Sequence, residues 1–195
     1  EGKGPKIVVS CVYPVERECT VSTDSDKVRR QRGMILSLLH KRAPDSELIA
    51  QMCTHYGAPP LERLKPVDSG KCILCGLCTR ACAELSVGAI STVNRGVTKE
   101  VATPYHDESP VCVGCGSCAS VCPTDAIPLT ETADTRTIWG KTFTLVRCAR
   151  CGAVIGTAEE LALAAQKAGG EPETLCERCR KAALAQVLAH TYGDQ

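Results

Sequence analysis

Aromatic side chains are scarce: one Phe, one Trp and four Tyr in 195 residues, 3% of the chain. A large core built around rings is therefore excluded, and some other cross-link must stand in for part of it. No run approaches the roughly 18 apolar residues of a membrane helix. The opening EGKGPKIVVSC lacks the basic-then-apolar pattern of a secretory signal. Neither sign of charge is in excess, since 23 Lys and Arg face 22 Asp and Glu for a net +1. A protein that holds DNA by bulk electrostatics is normally far more basic, so no nucleic-acid partner is expected. No G-x-G-x-x-G, P-loop or nucleophile pattern marks a nucleotide or substrate site. The histidines (His40, His55, His106 and His190) are dispersed and read as ordinary surface or packed residues.

Cysteine is what the chain has in plenty. Of its 15 cysteines, 12 fall in tight C-x2-C groups. Without a secretory signal, that usage reads as metal binding in a reducing, cytoplasmic compartment. Residues 72–82 read CILCGLCTRAC, and residues 112–122 repeat the pattern as CVGCGSCASVC. Disulfides at C-x2-C spacing would close only tiny, strained loops, and two zinc knuckles would not explain two matched runs of four. The spacing C-x2-C-x2-C-x3-C suits a metal–sulphur cube. Three thiolates on one short loop reach three corners, and the fourth Cys ligates the other cluster. This predicts two 4Fe-4S clusters with exchanged ligands. Cys72, Cys75, Cys78 and Cys122 hold the first, and Cys112, Cys115, Cys118 and Cys82 the second. Such clusters act as covalent cross-links, so the metal-free chain is expected to fold poorly.

A further tetrad lies in CARCG and CERCR: Cys148, Cys151, Cys176 and Cys179, spaced C-x2-C-x24-C-x2-C. Two such knuckles turn four thiolates toward one point. That fits a structural Zn²⁺, and a mononuclear iron or a third 4Fe-4S cluster uses the same four residues.

The rest of the chain reads as short elements. IVVSCVYPVERECTV (7–21) predicts two short strands around a proline. A helix follows, capped by Asp24 or Ser25, with Val28, Ile35, Leu38 and Leu39 as its apolar stripe and Arg29, Arg30 and Arg32 on the other side. SELIAQMCTHYG predicts a second helix stopped by Gly57, and APPLERLKPVDSG a linker. TIWGKTFTLVRC predicts a strand pair. TAEELALAAQKAGG predicts a helix with a capping box from Thr157 to Glu160 and a glycine stop, and CERCRKAALAQVLAHTYG the last helix.

Taken with the linking VGAI and VNRG, residues 71–129 resemble the double-cluster domain of FeFe-hydrogenases, of NAD-linked formate dehydrogenases and of the large iron–sulphur subunit of complex I-like enzymes. The resemblance implies the same eight ligands and a Pro after the last of them, which is Pro123; Ala83 stands where simpler ferredoxins have Pro. Upstream, residues 4–44 resemble the end of a plant-type ferredoxin domain and its following helix. Cys11 stands where the last 2Fe-2S ligand would be, without the three earlier ones. The family's next cluster uses a His and three cysteines. Here His40 is present, Ser46 and Leu48 lie where cysteines are expected, and only Cys53 is near, so that cluster is read as lost. Cys19 and Cys53 are then expected to be small buried hydrophobes. The tetrad is similar to the tail of small iron–sulphur subunits of formate hydrogenlyase-type complexes.

The expected fold is α+β. A remnant of a ferredoxin-like domain with helices occupies 1–66, a two-cluster ferredoxin-like domain 67–130, and a four-cysteine metal-binding tail with helices 131–195. The expected function is that of an electron-transfer subunit in a hetero-oligomeric oxidoreductase. Its partners would be a catalytic subunit and a second redox subunit or carrier. A stand-alone carrier and a small enzyme in its own right are the rival readings.

Overall fold

A computed structural model describes residues 5–68, 70–85 and 87–192. The chain mixes helices with small antiparallel sheets and divides into two compact units, Glu1–Ile73 and Leu74–Gln195.

In the first unit the two strands expected over 7–21 do not form. The segment is irregular and exposed, with a turn in which Val12 and Tyr13 N–H groups donate to the Val9 carbonyl at 3.2 and 3.1 Å. Pro14 offers no N–H to a ladder, and an isolated two-stranded ribbon with no face to bury is marginal in water. Helix α1 (Asp26–Arg42) starts as expected, with the Ser25 hydroxyl accepting from Val28 N–H. Its buried face is not the expected stripe. Ile35 and Leu38 are exposed, and Gly33, Leu36 and Ser37 are buried. Gly33 makes this possible, because a β-carbon there would come within 3.3 Å of the Ala58 backbone. Ser37 adds a hydroxyl bond to the Pro59 carbonyl at 2.6 Å. Helix α2 (Glu47–Tyr56) packs on this face, capped by Ser46 and ended by Gly57 at φ 59°. Arg29 and Arg32 lie over the Tyr56 ring at 5.8 and 5.5 Å, so part of the basic side is packed rather than simply solvated.

The second unit holds the second cysteine run and all of the first except Cys72. Helix α3 (Leu77–Glu84) follows Gly76, and helix α4 (Ser117–Ser120) follows Gly116. Both glycines have φ near +74° (73° and 74°), the left-handed turn that a Cβ would oppose. A two-stranded ribbon, β1 (Ser91–Val93) with β2 (Glu100–Ala102), lies between the runs. Then comes an antiparallel meander in sequence order: β3 (Leu129–Glu131), β4 (Thr135–Ile138), β5 (Lys141–Arg147) and β6 (Val154–Thr157). The expected strand pair is β4–β5, closed by Trp139 and Gly140, both at positive φ (54° and 78°). That is the two-residue hairpin turn whose twist matches its strands. Along β5, Phe143 and Leu145 are buried between exposed Thr142, Thr144 and Arg147, which gives the strand one inward face. Helix α5 (Ala158–Ala168) has the full Thr157–Glu160 capping box and its Gly169 stop, and α6 (Glu177–Tyr192) ends the described chain. A buried cluster of Cys78, Ile90, Cys118, Ile138 and Phe143 runs from the cysteine loops into the meander.

Candidate metal centres

Cys82, from the end of the first run, lines one cavity together with Cys112, Cys115 and Cys118 of the second. Its other walls are almost wholly apolar, among them Ile90, Ile138 and Trp139. The residues brought together are therefore three thiols of one loop and the fourth thiol of the other. Of the remaining four, Cys78 is buried, Cys75 is exposed, and Cys122 and Cys72 are half-buried; Cys72 falls in the first unit. The two exchanged cysteines have matching surroundings. Ala89 N–H donates to Cys82 Sγ, and Ala126 N–H donates to Cys122 Sγ, both at 3.2 Å. Peptide donors aimed at sulphur stabilise a thiolate, as a cluster ligand requires. An apolar cavity lined by four thiols, with glycines at the loop turns, suits a 4Fe-4S group.

The meander grips the second loop through three successive carbonyls. Lys141 Nζ donates to Cys112 O at 3.1 Å, the Thr157 hydroxyl donates to Val113 O, and Arg136 Nη1 donates to Gly114 O at 2.9 Å. Trp139 Nε1–H donates to Cys118 Sγ at 3.4 Å. These four residues were not singled out as functional from the sequence. The only Trp of the chain, set before Gly in a hairpin turn, was the available signal.

The thiols differ in electrostatics. Burial pushes Cys112 up, opposed by the Gly114 N–H and by Lys141. Burial also pushes Cys118 up, opposed by the Trp139 N–H. At Cys122 burial works upward as well, but N–H bonds from Ala126 and Thr124 and the Thr124 hydroxyl overcome it, so its thiol lies below the ordinary value.

The tail tetrad is far tighter. The sulphurs of Cys148, Cys151, Cys176 and Cys179 all lie within 4.8 Å of one another, with Cys151 and Cys176 at 3.6 Å. Cys148 and Cys179 are buried and Cys151 is exposed. Peptide N–H groups, that of Cys176 first, draw the Cys148 thiol down to about 6, while burial and the neighbouring thiols push Cys179 up to about 12.

In the first unit, Cys11 and Cys19 are exposed, and Cys53 is half-buried with its thiol pushed up by burial. The expectation of a buried Cys19 is thus wrong, because the unpaired segment around it leaves it in solvent. His40 is half-buried, with Nδ1 free of any hydrogen bond among the described residues. Ser46 serves as a helix cap, and Leu48 is exposed.

Comparison with known proteins bears on the same segment. Residues 71–126 match the family model of the 4Fe-4S dicluster domain. The chain is similar to the NADP-reducing hydrogenase subunit HndD of Solidesulfovibrio fructosivorans, at 31% identity over 147 residues, covering 60% of this chain and 25% of that protein. It is 27% identical over 150 residues to a Staphylococcus haemolyticus protein that bears the name formate dehydrogenase, covering 63% of this chain and 15% of that one. A solved NAD⁺-reducing NiFe-hydrogenase in the H2-reduced state is similar at 21% identity and a TM-score of 0.48, over 61% of this chain and 62% of that one. The chain spans a quarter or less of the length of these curated relatives. The resemblance to the iron–sulphur segments of hydrogenase and formate dehydrogenase proteins expected from the cysteine runs is therefore present, and residues 71–126 form a 4Fe-4S dicluster segment. Among the described residues no helix is long and apolar enough to cross a membrane.

Proposed function

We propose that this chain is the electron-transfer iron–sulphur subunit of a multi-subunit oxidoreductase of formate dehydrogenase, hydrogenase or tungsten/molybdenum type. It relays single electrons between a catalytic subunit and a second redox subunit or carrier, in the cytoplasm. The observation that carries this reading is the cavity in which Cys82 joins Cys112, Cys115 and Cys118. Those four would hold one 4Fe-4S cluster, and Cys72, Cys75, Cys78 and Cys122 the other. When bound, the clusters supply one-electron carriage; the chain's own residues bind them, shield them and set their potentials through hydrogen bonds, burial and charge. The working segments are a ferredoxin-like remnant with helices (1–66), the two-cluster ferredoxin-like domain (67–130) and a four-cysteine tail (131–195).

For the tail we favour one tetrahedral ion, Zn²⁺ before mononuclear iron. Metal–sulphur bonds of about 2.3 Å place four thiolates about 3.8 Å apart, and the tetrad sits at that scale, within 4.8 Å. A cube interposes its own irons and sulphides between the ligands and holds them much farther apart.

Metal analysis of an anaerobic preparation tests the assignment. The expected result is about eight irons and eight acid-labile sulphides with one zinc, on the basis of four thiolates per cube. A fully loaded chain with about four irons would overturn the pair of cubes; about twelve would make the tail a third cluster.

A further inference from the structure

The two cysteine loops have matching backbones and unequal surroundings. Each exchanged cysteine accepts one peptide N–H at 3.2 Å, from Ala89 in one case and Ala126 in the other. Each loop also has carbonyls held by a basic side chain. Arg80, on the solvent side, donates to the Cys75 and Gly76 carbonyls at 3.2 and 3.4 Å. Arg136 donates to Gly114, but its charge is answered by Glu131 at 2.6 Å and Glu160 at 3.8 Å. These features leave the loops roughly even.

What breaks the symmetry is the turn between β4 and β5, which lies beyond the matched dicluster segment. It adds apolar cover over the loop of Cys112, Cys115 and Cys118. Ile138 is 2% exposed and Phe143 is 1% exposed. Burial of this kind works against adding an electron, because reduction increases the negative charge of a four-thiolate cluster in a medium that solvates it poorly. Two groups on the same turn act the other way. The indole N–H of Trp139 points at Cys118 Sγ, the atom that would be an iron-bound thiolate, at 3.4 Å. The Lys141 ammonium reaches the Cys112 carbonyl at 3.1 Å and rests 4.9 Å from the centre of the Phe143 ring. A donor to sulphur and a half-buried positive charge both favour the more negative, reduced cluster. Trp139 and Gly140 make this turn at positive φ, 54° and 78°.

We propose that Trp139 and Lys141 hold up the reduction potential of the cube bound by Cys82, Cys112, Cys115 and Cys118, offsetting the burial that their own hairpin imposes on it. Both are positioning residues that act through the thiolates and touch no substrate. The proposal rests on the two-cube reading. Its consequence is that the covered cube stays within reach of the other, so that neither traps the electron. The other cube has its own side-chain donor, the Thr124 hydroxyl, 3.7 Å from Cys122 Sγ.

A redox titration of the loaded full chain, followed by EPR, tests this. Trp139→Phe keeps a ring and removes the N–H. Lys141→Met keeps the stem and removes the charge. Each is expected to move one of the two reduction steps to lower potential and leave the second in place. The expected size is a several-fold to tenfold change in the oxidised-to-reduced ratio at fixed poise, tenfold being about 59 mV for one electron. Thr124→Val is expected to lower the step that the other two variants leave alone. The assignment is overturned if neither Trp139→Phe nor Lys141→Met moves a step, or if Thr124→Val moves the same step that they do. Should Trp139→Phe load poorly, Lys141→Met decides alone, since it leaves the indole bond intact. A wild-type chain with about four irons and a single step would instead defeat the two-cube reading.

Discussion

A β-carbon on Gly114 would stand 2.6 Å from two atoms of the Phe143 ring, and its φ is +67°. The loop between Cys112 and Cys115 can therefore turn only with glycine here, because the ring that would have to yield is 1% exposed. Gly114→Ala carries a left-handed backbone penalty of about 1–2 kcal/mol. It also carries an overpacking penalty of about 1–3 kcal/mol. A loss of about 2–5 kcal/mol is expected from these two terms, read as a lower melting temperature and reduced iron content. Phe143→Leu in the same chain should recover part of it, and two singles whose costs simply add would contradict the contact. The tail thiols give a second residue-scale prediction. Metals bind thiolates. Cys179, at about 12, must therefore lose a proton on loading at any ordinary pH, while Cys148, at about 6, has lost its own by neutrality. Metal binding releases the Cys179 proton, and a higher pH favours that release by mass action, so tail metal affinity should climb from pH 6 upward. Below about 6 Cys148 is protonated too, and affinity should fall more steeply. Competition with a chelator across pH 5–8 measures this, and a flat affinity would show the tetrad is not the binding site.

At the scale of elements, what could be read in advance was whatever local chemistry determines. The Thr157–Glu160 box, the Gly57 and Gly169 stops and the β4–β5 strand pair each act within a few residues, and each was legible before the structure. The face of α1 was not. It is chosen by Gly33 and Ser37 meeting Ala58 and Pro59 across more than twenty residues, and apolar periodicity alone pointed to exposed Ile35 and Leu38. The strands over 7–21 failed for the opposite reason: propensity was there and a partner was not. Of the candidate site, the twelve cysteines were legible from spacing. Trp139, Lys141, Arg136 and Thr157 were not, because only the folded meander places them over residues 112–114 and 118. The meander also sets how far damage in the tail should spread. Cys148 follows the far end of β5, about 20 Å along the strand from Lys141 at a rise of about 3.4 Å per residue. Cys148→Ser is thus expected to lose the tail ion and lower the stability of the second unit, with about eight irons and both cube signals retained. Iron lost together with the ion would show that the tail and the cubes stand or fall as one.

At the scale of the whole molecule, the relay reading makes the most exposed commitment. Two cubes need only the segment matched over residues 71–126. The chain adds the paired helices α1 and α2 in its first unit, and the meander, tetrad and helices α5 and α6 in its second. Helix α6 leaves Leu184, Val187, Leu188 and Tyr192 between 49% and 65% exposed, more apolar surface than an isolated carrier has use for. A relay is useful only when both ends dock, so these added elements are where the partner subunits are expected to bind. On the relay reading, the isolated, loaded chain should then accept electrons from dithionite and turn over no formate, hydrogen or NADH. On the same reading, in the reassembled complex Cys75→Ser and Cys115→Ser would each remove a ligand of one cube and leave the catalytic subunit untouched. Activity with an artificial dye that draws electrons at the catalytic subunit should persist in both variants. Activity that must pass to the second redox partner should fall to background in both. A complex that stayed fully coupled with either cysteine replaced would mean the electrons bypass these cubes, and an isolated chain that oxidised any of the three substrates unaided would make it an enzyme instead of a relay.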